Sequence, residues 1–270
     1  MKFDLHIHSR HSFDSLSRVE DIIRQARRVG LDGVAITDHD SFGGSAEAID
    51  IAPADMMIIP GAEYASDQGH LLVYFLKEGL EKGELCRDPR GRFYWQDIVG
   101  EAHLQGAVVF LAHPYKPFRD HDPLLLEQID GLEVYNSRAS LCKNTAANGQ
   151  ALQTAVTWQK PFSAGSDAHW LGEIGGACLE YDEKYLSDKG ENLTLAMKQA
   201  LADRRGKVWG KAASRCYEPA SQIVKRWLAG DYTDIPRPMA KLALSCTLEV
   251  GRKMGLGYRP LEGWLEIGND

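Results

Sequence analysis

The chain has 270 residues, 44% hydrophobic and 26% charged, and a net charge of −7. Its length allows one large domain or a domain with an appendage. Its composition excludes a disordered or low-complexity chain, and its negative charge argues against a protein that coats nucleic acid. The N-terminus, "MKFDLHIHSR", lacks the apolar stretch of a signal peptide, and no apolar run reaches the length of a bilayer span, so the expected location is cytoplasmic. Five cysteines, odd in number and without a C-x-x-C pair, suggest neither a disulfide framework nor a thiolate zinc site, and reduced thiols are expected.

Short β-like runs alternate with helical patterns, as in βα units around a parallel sheet or barrel. The first run is "KFDLHIH" (2–8). In "SRVEDIIRQARRVG", Ser17 and Glu20 have capping-box spacing, Val19, Ile22, Ile23 and Ala26 form one apolar face, and Gly30 is a stop signal. Strands are expected next at "GVAITDH" (33–39), "MMIIPGAEY" (56–64) and "HLLVYFL" (70–76). A helix is expected around 95–105, then strands at "AVVFLAH" (107–113) and "GLEVYN" (131–136). A helix around 141–158, a strand at "FSAGSDAH" (162–169) and a helix over 190–204 complete this part. Beyond it, "ASQIVKRWLAG" and "MAKLALSCTLEVGRKMG" have helical spacing, interrupted by "DIPRP". The expected organisation is an α/β barrel over 1–210 with a helical C-terminal extension over 211–270 packed on it. Lys207, Lys211, Arg215, Lys225 and Arg226 are candidates for a basic face in this region, against the plainer reading of solvated helix surface.

Alternation along the first strand sends Phe3, Leu5 and Ile7 one way and Asp4, His6 and His8 the other. Of nine histidines, six lie in or at the end of expected strands: His6, His8, His39, His70, His113 and His169. Parallel barrels carry their active sites at the C-terminal strand ends; His70, which opens its strand, fits that rule less well. Asp14, Glu63 and Asp167 accompany the histidines. Imidazole with carboxylate suits zinc, manganese or iron, and this many donors suggests more than one ion. Asp38 is assigned to a turn or to orienting a ligand histidine. His11, His103 and His121 are left without a role.

The ordered pieces "HIHS", "TDHD", "GAE", "GHLL", "AHP" and "GSDAH", spread over about residues 1–170, resemble the PHP (polymerase and histidinol phosphatase) family in its stand-alone phosphoesterase form. The resemblance implies a distorted (β/α)7 barrel and a trinuclear site. By position, it implies a first ion on His6, His8, Glu63 and Asp167. Glu63 would bridge to a second ion on His70 and His113, and Asp14, His39 and His169 would hold a third.

Phosphate binding needs further positive charge, and Arg138, Lys116 and the amide of Asn136 each follow an expected strand. The expected activity is hydrolysis of a phosphomonoester or small nucleotide phosphodiester by a metal-bridging hydroxide, with His169 and Asp14 as candidates for protonating the leaving oxygen. The expected partner is a small phosphorylated substrate, with nucleotides or short oligonucleotides in range; neither a membrane nor an obligate protein partner is expected. An amidohydrolase acting on a C–N bond and a metal-binding regulatory module without turnover are the alternatives.

Overall fold

Backbone pairing in the computed structural model, which describes residues 1–116, 120–187, 193–254 and 262–265, sorts the strands into two sheets. In chain order the elements begin β1 (Lys2–Ile7), α1 (Val19–Arg28), β2 (Gly33–Ile36), α2 (Gly43–Ile51), β3 (Met57–Ile58), β4 (Gly61–Ser66) and β5 (Gly69–Tyr74). They continue with α3 (Trp95–Leu104), β6 (Val108–Leu111), α4 (Pro123–Gln128), β7 (Gly131–Asn136), α5 (Ala147–Thr157) and β8 (Phe162–Gly165). The chain then forms β9 (Ala177–Glu180), α6 (Glu183–Ser187), α7 (Leu193–Ala202), β10 (Lys207–Lys211), α8 (Tyr217–Leu228), α9 (Pro236–Lys253) and β11 (Glu262–Leu265). Residues 190–192 of the expected helix before β10 lie outside the described residues.

One sheet has the order β11-β10-β9-β1-β2-β3 and the other β4-β5-β6-β7-β8. The expected single ring of seven parallel β/α units is therefore not what the pairing gives. Strands β9, β10 and β11 extend the edge of β1 in antiparallel fashion, and the expected strand over 56–64 divides, β3 joining one sheet and β4 the other. Strand β5 runs antiparallel to both β4 and β6. His70, at the start of β5, consequently pairs with Ala65 near the end of β4 and accepts through its carbonyl from Ala112 N, just beyond β6, at 3.0 Å. Antiparallel direction thus brings a strand's beginning to the end where its neighbours finish.

Parallel bridges join the two sheets at Ile7–Ala168 and His39–Glu63. The first is reinforced by His8 N to Ala168 O (2.7 Å), the second by Asp40 N to Glu63 O (2.8 Å) and Glu63 N to Asp38 O (3.1 Å). Both seams thus run through the histidine- and carboxylate-bearing segments.

Helix α1 buries Val19, Ile22, Ile23 and Ala26, as its spacing requires. The expected capping box is not formed: Ser17 Oγ donates instead to His169 O at 3.1 Å, and Glu20 takes Arg18 as partner. The main apolar core includes Leu71, Val73, Trp95, Ile98, Phe110, Leu132 and Phe162, and a second cluster gathers Ile7, Ile22, Val34 and Ile36 under α1. Helix α8 lies against the end of the molecule where the sheets meet, and its Ser221 is buried there.

Candidate metal centre

His6 and His8 leave β1 on one face, and their Nε2 atoms converge to 3.0 Å. Asp167 Oδ1 lies 3.7 Å from His6 Nε2 and 3.4 Å from His8 Nε2. Glu63 Oε2 lies 3.3 Å from each of those nitrogens. The other oxygen of Glu63 faces His70 Nδ1 at 2.8 Å and His113 Nε2 at 3.1 Å. Asp14 Oδ2 lies 3.1 Å from His169 Nε2 and 3.5 Å from His39 Nε2, while His39 Nδ1 turns to Glu63 Oε2 at 3.0 Å. All nine residues expected as metal ligands thus meet in one place, with Glu63 shared between two groups.

Two buried carboxylate oxygens here, Glu63 Oε2 and Asp14 Oδ1, lack a well-aligned hydrogen bond, although imidazole nitrogens stand 3.0–3.3 Å from the first. An orphaned buried acceptor is costly unless something positive meets it, and imidazole with carboxylate is a donor set for divalent zinc, manganese or iron. Subsets of these side chains already have ligating atoms within 4.8 Å of one another: His6, His8 and Asp167; His6, Glu63 and His113; His39, Glu63 and His70; and His8, His39 and His169. The residues fit more than one cation.

Electrostatics agree with that fit. Burial works against a charge on His6, but Glu133, Glu63 and Asp167 hold its pKa well above the ordinary imidazole value. Burial is likewise outweighed at His39, where Glu63 and Asp14 push the pKa up to about 10. His8 goes the other way, lowered by burial and by His169 and His39. Burial would raise Glu63, yet the surrounding histidines keep it well below the usual carboxylate range. Asp167 is held low against its burial by Lys116 and His6.

Behind these side chains stands a layer that the motifs did not reveal. Glu133 Oε1 lies 2.9 Å from His6 Nδ1, and Glu133 Oε2 accepts from His113 N (2.8 Å) and Asn136 Nδ2 (3.0 Å). The available signal was an acidic residue inside the apolar strand "GLEVYN". Asp4 accepts from Ser166 N, His6 N and Gly175 N. Asp38 accepts from Ser9 and, at 3.0 Å, from Ser12 Oγ, which lies 3.1 Å from His8 Nδ1. It therefore supports the ligand layer, one of its two expected roles. His113 and Asp167 both have positive φ, 28° and 57°, a strained backbone of the kind that concentrates at functional sites.

The residues expected to bind phosphate divide. Lys116 Nζ donates to Asp167 Oδ2 at 2.7 Å and lines the cavity. Arg138 also lines it, but its Nε and Nη2 grip Glu173 at 2.8 and 2.7 Å and Nη2 reaches Ser221 Oγ at 2.9 Å. Asn136 is fully buried; its amide nitrogen serves Glu133 and its Oδ1 accepts from Ala139 N. It braces Glu133, with both ends of its amide already engaged.

The donors open into a cavity of about 600 Å³, whose wall includes Phe13, His121 and, from α8, Glu218, Gln222 and Lys225. Phe13 stacks on His39 with ring centres 4.7 Å apart, and Lys225 Nζ lies 4.4 Å from the Phe13 ring centre. His11 pairs with Glu47 and His103 with Asp130, away from these ligands. A second cleft of about 620 Å³ shares Lys116, Arg138 and Glu218 with the first and adds Lys143, Arg215 and Lys241 beside Leu141, Leu244 and Leu248.

Imidazoles and carboxylates gathered around shared oxygens, where two sheets meet, define an α/β protein whose site could hold metal ions. The chain belongs to the PHP-domain family: residues 4–157 match the PHP domain and residues 145–189 the PHP-associated region. An uncharacterized protein of Methanocaldococcus jannaschii is 28% identical over 163 residues, which are 55% of this chain and 90% of that protein. A Thermotoga maritima protein named "Probable histidinol-phosphatase" is 25% identical over 229 residues, covering 70% of this chain and 97% of its own. A two-domain Bacteroides vulgatus protein described as containing a PHP-like metal-dependent phosphoesterase shares the fold, with a TM-score of 0.57 and 22% identity, over 78% of this chain and 64% of its own.

Proposed function

We propose that the chain hydrolyses a small phosphate ester, a phosphomonoester or a short nucleotide phosphodiester, at a site holding two to three divalent cations. The observation that carries this reading is Glu63, a buried carboxylate placed between two groups of imidazoles with one oxygen toward each. His6, His8, Asp167 and Glu63 would hold one cation, Glu63, His70 and His113 a second, and Asp14, His39 and His169 a third. When bound, manganese, zinc or iron would acidify a water and neutralise phosphate oxygens.

The chain's own groups supply the rest. Lys116, at the cavity wall, donates to a phosphate oxygen, while Arg138, neutralised by Glu173, shapes the same wall. With only the first two cations bound, Asp14 and His169, 3.1 Å apart, would hold and pass the proton that the leaving alkoxide needs; with the third bound they would be its ligands. The adjoining cleft, with basic side chains over an apolar floor, accommodates the remainder of the ester and suits a nucleoside monophosphate, a 3′,5′-bisphosphate or the end of a short RNA. Residues 1–210 would form the catalytic unit, with 211–270 contributing the wall that α8 places over it.

Elemental analysis of the purified protein, joined to a panel of p-nitrophenyl phosphate, histidinol phosphate, nucleoside monophosphates, bisphosphates, short RNA and amide substrates, tests the reading. Two to three cations per chain and turnover of a phosphoester are expected, with His6→Ala and Asp167→Ala losing metal and at least about a hundredfold in turnover. Full phosphoesterase turnover in a folded, metal-free variant would sink it. So would metal-loaded protein that cleaves amides alone or nothing in the panel.

A further inference from the structure

Cys216 stands immediately before α8 and Cys246 lies within α9, and their Sγ atoms are 3.3 Å apart. We propose that these two thiols are a modification site, closed to a disulfide by a small-molecule disulfide and so fastening α8 to α9 beside the metal cavity. A disulfide needs sulfur atoms about 2.05 Å apart, so the remaining approach is roughly 1.3 Å, within the reach of a side-chain rotation. The same two helices are already drawn together around the thiols by Arg215 N donating to Glu249 Oε1 at 3.1 Å and by the Lys241–Glu218 ion pair.

Position gives the bond a consequence. Arg215 and Glu218 on one side of the pair, and Leu244, Ser245 and Leu248 on the other, line the cleft that adjoins the metal cavity. Helix α8 also puts Glu218, Gln222 and Lys225 into the cavity wall itself. A covalent link at the start of α8 would hold that wall in one arrangement and close a loop across a separation of 30 residues. Cys178, by contrast, is buried with its pKa pushed up to about 12 by that burial, the setting of an inert thiol.

The chemistry is thiol–disulfide exchange. Cys246 is the more exposed of the two. Its thiolate attacks one sulfur of the small disulfide, forming a mixed disulfide and releasing one thiolate. Cys216, giving up its proton, then attacks Cys246 Sγ and expels the second thiolate. Two protein S–H groups are oxidised to one S–S bond, the small disulfide is reduced to two thiols, and the two protons end on the leaving groups.

The full chain incubated with oxidised glutathione, then alkylated, unfolded and mapped by mass spectrometry, tests the site without any variant. The expected result is a mass lower by about 2 Da before alkylation, a loss of two titratable thiols, and a cross-linked peptide pair containing Cys216 and Cys246. The Cys216→Ser variant should stop at a glutathione adduct on Cys246, and dithiothreitol should reverse both products. Amide exchange across 217–228 should slow several-fold in the oxidised protein. Five thiols remaining free, or cross-links formed equally through Cys86 or Cys142, would overturn the site. A disulfide that leaves exchange in α8 unchanged would overturn the fastening role. None of these readouts depends on phosphoester turnover.

Discussion

Glu133 holds His6 from behind, through a contact of 2.9 Å between two fully buried side chains. A ligand imidazole is oriented, and its basicity raised, by the group that meets its other ring nitrogen. Glu133→Gln keeps the shape and removes the charge, so metal affinity is expected to fall 10- to 100-fold, of the order seen for such supporting groups, while circular dichroism stays unchanged. Metal titration of the chelated variant checks this, and an unaltered affinity would show that His6 needs no such support. Arg138 and Glu173 illustrate the opposite outcome for a charged pair: their bidentate bond, buried on both sides, docks Ser221 of α8 onto the β7–β8 end of the sheet. Nothing in "YNSRA" distinguishes an arginine that will meet phosphate from one that will meet a glutamate 35 residues later.

At the level of elements, the close approach of β8 to β1 sets the spacing of the site. A Cβ on Gly165 would lie 2.3 Å from His6 Cβ and 2.7 Å from His6 N, and both of those atoms belong to the strand that carries His6 and leads into His8. Gly165→Ala is therefore expected to destabilise the fold by about 1–3 kcal/mol through overpacking and to weaken metal binding by moving His6. Denaturant unfolding with a parallel metal titration measures both; wild-type values in each would show that β1 and β8 can part without harm. The reversed direction of β5 is the second element-scale fact. It explains why His70, at the wrong end of its strand for an all-parallel arrangement, still reaches Glu63. Hydrophobic alternation carries no sign of strand direction, so the sequence could expose the strand but not its orientation.

For the whole molecule, metal binding and folding are expected to be coupled. His39, with a pKa of about 10 in this site, and His6, held well above its ordinary value, keep protons at neutral pH when no cation is bound. A cation must displace those protons, so affinity should rise with pH and each binding event should release protons to the buffer. Titration calorimetry in buffers of different ionisation enthalpy reads the released protons directly, and heats independent of buffer would refute the coupling. Chelation should lower Tm in the same preparations, because a ligand that binds only the folded state stabilises it; readdition of manganese or zinc should restore it. Among the described residues, no helix is long and apolar enough to cross a membrane, and the N-terminal strand lies inside a sheet. From its residues alone, the sequence pointed His6 and His8 to one side of a strand by period-two alternation and set Glu63 and Asp167 at strand ends, while their grouping into one site came from the family resemblance. What only the tertiary structure decided was the support and the walls. The two-sheet pairing, the service of Glu133 to His6, the diversion of Arg138 to Glu173 and the placing of α8 over the cavity all join residues far apart in the chain, and no local pattern records such meetings.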